Sequence, residues 1–145
     1  MKIKQISVFI ENNPGHLYNV VKTLANHNVN IRAISLAETA DFGIIRMIVN
    51  NPDEAYNILK ENKFSVSFTD VLAVAVSDDV GGIAKVLALT NPNNENINIE
   101  YLYAFAEKHG DHAIIIFRFD NPDKVIEIFK KHNIKVLSEE EVKKL

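Results

Sequence analysis

The sequence predicts an α+β chain made of two tandem copies of one β-α-β-β-α-β unit, and three observations carry that prediction. Short runs of apolar residues alternate with period two, and between them the period switches to 3.6. The second long-period segment of each copy opens with Asn-Pro-Asp, a helix start. The order of these runs, with several short identities, then repeats half-way along the chain.

In "ISVFI", Ile6, Val8 and Ile10 alternate with Ser7 and Phe9, which marks a strand with one strongly apolar face. Leu17, Val20, Val21 and Leu24 follow the i, i+3, i+4, i+7 spacing of a helix packed on a sheet. "IRAISLAE" and "IIRMIV" flank turn residues around Asp41 and Gly43 and read as a hairpin. "NPDEAYNILKEN" offers Asn51 as a cap, Pro52 at the first helical position, and Ala55, Ile58 and Leu59 on one face. "FSVSF" supplies a fourth strand. This order is the split βαβ of ferredoxin-like folds, a four-stranded antiparallel sheet with two helices on one face.

The second copy runs through "LAVAV", a helical stripe at Ile83, Val86 and Leu87, the hairpin pair "INIEYLYAFA" and "AIIIFRF", the helix "NPDKVIEIFKKHN" and the strand "IKVL". "NVNI" at 28–31 matches "NINI" at 96–99, and "NNPD" at 50–53 matches "DNPD" at 120–123. The spacing between matched positions widens along the chain, which points to small loop insertions, chiefly in "TNPNNENIN". The domains expected are therefore 1–70 and 71–145. With no flexible linker in "SFTDVLAVAV", the halves are expected to be held side by side. At the end, "SEEEVKKL" places Ser138 and Glu141 in capping-box spacing and predicts a short C-terminal helix.

Composition narrows the function classes. A net charge of −3 supplies none of the basic surface that nucleic acid demands, so neither nucleic acid nor a membrane surface is expected as partner. The absence of cysteine excludes disulfides, thiolate metal sites and cysteine nucleophiles. "MKIKQISVFI" has too short an apolar run for a signal peptide, and no segment approaches the ~18 apolar residues of a membrane helix. A cytoplasmic protein is the expectation.

All four prolines follow asparagine, at Asn13-Pro14, Asn51-Pro52, Asn91-Pro92 and Asn121-Pro122. At two helix starts Asp53 and Asp123 come next, where negative charge suits the helix dipole. The first helix of each copy instead has glycine: Gly15, and Gly81 followed by Gly82. Two explanations stand at this point. Bare N–H groups at a positive helix end can receive a carboxylate or phosphate, or glycine admits the close approach of a neighbouring backbone.

"ENNPGHLYNVVKTLANHNVNIRAISL" resembles the ACT domain, whose pattern is an acidic residue, Pro-Gly-x-Leu at the first helix, and Asn-Ile opening the second strand. "SDDVGGIAKVLALTNPNNENINIEYLYAF" is similar, with Val80 in place of the proline. The two copies cover nearly the whole chain and look like a stand-alone tandem ACT protein. The resemblance implies an amino-acid-binding regulatory module, with the ligand at an interface between units. Contacts come from the loop between strand one and helix one and from the second strand facing it. Carried over, these are Asn12, Asn13, Gly15, His16 and Leu17 with Asn30 and Ile31, and at a second site Asp78, Asp79, Gly81, Gly82 and Ile83 with Asn98 and Ile99. The first is the expected site, because Asn12 and Asn13 suit a zwitterion whereas Asp78 and Asp79 would repel a carboxylate. No cofactor is implied.

Elsewhere, His109 and His112 flank Asp111 in a hairpin turn, too few ligands for a metal site. Tyr101, Tyr103 and Phe105 share a strand face suited to packing. Arg46 and Arg118 sit at similar places in the two copies and are expected to form ion pairs. No catalytic grouping emerges, so no enzyme activity is expected. The function expected is allosteric regulation in trans, by a homodimer that binds a small amino acid and acts on a separate enzyme. The alternatives are a purely structural oligomerisation module and a small ferredoxin-like enzyme such as an acylphosphatase, for which the first loop offers only His16.

Overall fold

The computed structural model describes residues 1–90 and 96–145. Its elements are β1 (Ile3–Glu11), α1 (His16–Asn26), β2 (Ile31–Glu38), β3 (Phe42–Val49), α2 (Pro52–Glu61), β4 (Ser65–Ser77), α3 (Gly82–Ala88), β5 (Ile99–His109), β6 (His112–Phe119), α4 (Pro122–Lys131), β7 (Val136–Leu137) and α5 (Glu139–Lys143). The backbone divides into two compact units, Lys4–Thr69 and Asp70–Leu145 with Met1–Ile3. Asn91-Pro92 and the centre of the loop "TNPNNENIN" lie outside the described residues.

In the first unit the strands lie in the order β4, β1, β3, β2, with β1–β3 and β2–β3 antiparallel. Alternation puts Ile6 and Val8 of β1 and Ile45, Met47 and Val49 of β3 on one face. There they pack against Val20 and Leu24 of α1 and Ala55, Ile58 and Leu59 of α2. Each such fully buried side chain stabilises the unit by about 1.5–3 kcal/mol relative to exposure. The second unit repeats the plan with β7, β4, β6, β5, all pairs antiparallel. Leu72, Val74, Ile115, Phe117 and Phe119 pack against Val86, Val125, Ile128 and Phe129. Both units thus have the sheet with helices on one face that the pattern predicts.

Two details depart from the sequence expectations. "FSVSF" and "LAVAV" are one uninterrupted strand, which stays extended through Thr69 and Asp70 between them. Part of the drift between copies is absorbed inside a strand, not a loop. β5 advances four residues from Ala104 to Lys108 while β6 advances two from Ile115 to Ala113, a bulge with two extra residues. Ile48, Ile114, Ile116, Tyr103 and Phe105 are also buried within the chain, in keeping with the packing expected of the strand face that carries Tyr103 and Phe105.

The repeated identities have a common structural cause. The backbone N–H of Asn30 donates to Asn50 Oδ1 (3.0 Å) and that of Asn50 to the Asn30 carbonyl (3.1 Å). In the second copy Asn98 and Asp120 exchange the same two bonds, both at 3.1 Å. This clasp ties the start of the hairpin to the start of the following helix. The residue before Asn-Pro-Asp therefore works through its side chain, and Asn30 and Asn98 work here through their backbones.

Candidate functional site

The first helix of each unit begins on a glycine in the left-handed region, Gly15 at φ +89° and Gly81 at φ +83°. A Cβ built on either would meet nothing within 4 Å, so what these positions require is the backbone conformation, not space. Close approach does operate one residue further on in the second copy. A Cβ at Gly82 would lie 2.0 Å from the Ser77 carbonyl oxygen. Of the two explanations left open by the sequence, close approach within the chain applies at Gly82 and not at Gly15 or Gly81.

Gly15 offers no side-chain cap, and the first turn of α1 holds no acidic residue. The positive end of an eleven-residue helix is therefore left without a negative partner from its own turn. Asn12 and Asn13 do not wait for a ligand: Asn12 Nδ2 donates to Glu38 Oε2 and Asn13 Nδ2 to Glu11 Oε2, both at 3.1 Å. The loop consequently carries two carboxylates, held by its own asparagines, beside an uncapped helix end. Adjoining it is a cleft of about 370 Å³ lined by Phe9, Ile10, Glu11, His16, Asn19, Lys63, Phe64 and Ser65.

Lys63 was invisible to sequence reasoning as a member of this group. It lies in the turn between α2 and β4, at φ +66°, and only the fold brings it beside α1. Glu11 was visible as the acidic residue before the loop, but its bond to Asn13 was not. Asn30 and Ile31 are not brought to this loop within the unit. They sit at the start of β2, whereas Asn12 bonds Glu38 at its end, about 25 Å away at roughly 3.3 Å per residue. Asn98 and Ile99 stand in the same relation to the second loop, at the opposite end of β5 from Lys108.

The second loop differs in charge. Asp78 is ion-paired with Lys108, whose ammonium is held above its ordinary pKa first by that hydrogen bond and then by Coulomb attraction. Asp79 accepts from Ser77 Oγ at 2.6 Å. Both acids are occupied by partners from their own unit, and Ile83 is exposed beside them. Of the two matching arginines, Arg118 pairs with Glu100 (3.2 Å) and donates to the Asp70 carbonyl (2.7 Å), the ion pairing expected of it. Among the described residues no group of three or more His, Cys, Asp or Glu side chains is placed to hold a metal. None of the described helices is long and apolar enough to cross a membrane.

Two β-α-β-β-α-β units, each with glycine at the first helix and Asn-Ile opening the hairpin, are matched by the family model for an ACT domain pair over residues 1–145. The chain belongs to the ACT domain family. Protein BT0572 from Bacteroides thetaiotaomicron is 41% identical with a TM-score of 0.91, covering 100% of this chain and 98% of that one. The ligand-free regulatory subunit of aspartate kinase from Thermus thermophilus shares the fold at 14% identity (TM-score 0.60; 88% and 91% covered). So does E. coli aspartokinase III in complex with lysine and aspartate, at 16% identity (TM-score 0.52; 90% of this ACT pair, 31% of that chain). Comparison with curated proteins gives no match.

Proposed function

We propose that this ACT domain pair is a regulatory protein without catalytic activity, which binds a small amino acid at the β1–α1 loop of its first unit and acts in trans on a separate enzyme. The observation that carries the reading is the pairing of opposite fields at one place. Glu11 and Glu38 offer carboxylates to an ammonium group, while the uncapped start of α1 and Lys63 suit a carboxylate. Phe9 and Phe64 supply apolar lining for a side chain. Because Asn30 and Ile31 lie far from the loop of their own unit, they complete the site from a second copy of the chain, as a homodimer. The second loop, with Asp78 already paired, is the weaker site.

The test is a panel of amino acids at millimolar concentration, read by thermal shift and calorimetry. At a hundredfold excess over Kd a ligand stabilises by about 2.7 kcal/mol, a rise of roughly 5–10 °C for a chain of this size. Asn13→Asp then adds a negative charge beside the α1 start without disturbing a left-handed residue, and is expected to weaken binding about tenfold or more. No rise with any amino acid would favour the structural-module reading. Unchanged affinity in Asn13→Asp would remove the loop from the site.

A further inference from the structure

A second cleft, of about 330 Å³, lies in the other unit and at the opposite side of its sheet. Alternation along β4 and β6 puts Ala75 and His112 on the face turned away from α3 and α4, since Val74, Val76, Ile115 and Phe117 face those helices. His109 pairs with His112 across the β5–β6 hairpin. From the C-terminal side Leu137 of β7, Lys135, and Glu141 and Lys144 close the cleft. Among the described residues α5, which supplies Glu141, has no counterpart in the first unit.

The charges here are not balanced. Glu141 is the lone acid lining the cleft, and both of its oxygens are engaged: Oε1 accepts from Lys135 Nζ at 2.5 Å and Oε2 from the Ser138 backbone N–H at 2.8 Å. Lys135 and Glu141 therefore neutralise one another. Among the described residues no hydrogen bond or ion pair engages the Lys144 ammonium or the imidazoles of His109 and His112. What remains is one cation and two imidazoles around an apolar floor of Ala75 and Leu137. Such a lining suits a carboxylate joined to a small aliphatic body, and it holds no free carboxylate to balance the charge of an ammonium group beside the Lys144 cation.

We infer that this cleft is a second ligand site, separate from the β1–α1 loop, which takes a small aliphatic carboxylate lacking an amino group, bound by Lys144 and the His109–His112 pair. The volume is at the lower end of ligand pockets, which limits the ligand to a short-chain acid. The two sites would then distinguish an amino acid from its deaminated skeleton, because only the first offers uncommitted negative charge.

The test uses 4-methylpentanoate and leucine, which share a carbon skeleton and differ by the amine, titrated into the full chain at pH 7 with amide and imidazole resonances followed by NMR. The inference predicts that 4-methylpentanoate moves resonances of His109, His112 and residues 135–144, and that leucine does not. Lys144→Gln, an exposed change near the chain end, is expected to weaken that binding about three- to tenfold, and His109→Gln/His112→Gln similarly. Shifts confined to residues 11–19, or equal affinity in Lys144→Gln, would overturn it. Inorganic phosphate binding as tightly as the acid would also overturn it, since the apolar floor would then contribute nothing. Failure here leaves the β1–α1 site untouched, because the two sets of resonances do not overlap.

Discussion

Substituting alanine at Gly15 and at Gly82 separates two physical roles that the sequence writes with the same letter. At Gly15 the added Cβ has open space, so the whole cost is conformational: φ +89° is left-handed, which is unfavourable for an L-residue by roughly 1–2 kcal/mol. Part of that is offset by the reduced freedom of the unfolded chain, worth about 0.4–1 kcal/mol. The net destabilisation is about 1 kcal/mol, a fall of roughly 2–4 °C in Tm. At Gly82, the first residue of α3, alanine brings a better helix former, a gain smaller than the ~1 kcal/mol of a helix interior. Its Cβ, however, would lie 2.0 Å from the Ser77 carbonyl oxygen, and backbone on both sides must shift. Overpacking of backbone against backbone is expected to cost about 3 kcal/mol or more, and to lower Tm by roughly 6–12 °C. Scanning calorimetry of the two single variants at one scan rate gives the comparison directly. A Gly82→Ala variant as stable as Gly15→Ala, or a stabilised Gly15→Ala, would refute the assignment of close approach to one and left-handed backbone to the other.

Removing the clasp should weaken both copies alike. Asn50→Ala and Asp120→Ala each delete one acceptor, and urea unfolding is expected to show a loss of about 0.5–1.5 kcal/mol in each case. Glu141 has a folded pKa of about 2 against an ordinary value of 4.5, lowered chiefly by Lys135 and then by the Ser138 backbone N–H. A depressed carboxyl contributes stability that is complete above pH 4.5 and lost as the pH falls towards 2. The protection factors of the α5 amides, corrected for the intrinsic pH dependence of exchange, should therefore fall across that window in the native chain and stay level in Glu141→Gln. Phe129→Ala, at a side chain with no exposure between α4 and the second sheet, is expected to cost about 3–5 kcal/mol, checked by the same urea unfolding.

Most of the architecture could be read from the sequence because it is written in periodicity. Ile6 and Val8, or Leu72 and Val74, announce their face by alternation, and Ala55, Ile58 and Leu59 by helical spacing. The capping box at Ser138 and Glu141 was legible for the same local reason, since both partners lie within one turn. What escaped was non-local or depended on backbone angle. The continuity of β4 through Thr69 and Asp70 is not encoded locally, since an Asp reads the same whether a strand continues or a short link intervenes. Lys63 reaches the first cleft through the α2–β4 turn, a meeting that no spacing encodes. The two kinds of glycine differ in φ and in neighbours, neither of which a letter carries. The resemblance named the loop residues as a group in sequence. It could not show that Asn12 and Asn13 are already bonded to Glu38 and Glu11, which turns an apparent pair of donors into a holder for two acids.

The clasp between Asn30 and Asn50, repeated by Asn98 and Asp120, lies at the end of each sheet away from the β1–α1 loop. Instructions for assembling a unit and the charges of its β1–α1 loop are therefore written on different segments. After a duplication, one copy could exchange its loop charges, as Asp78 and Lys108 against Asn12 and Glu38 show, while both kept the same construction. For a protein engineer this separates two tasks: the polar residues of the β1–α1 loop can be varied for their charge, provided that Gly15, Leu17 against the core and the clasp are left alone.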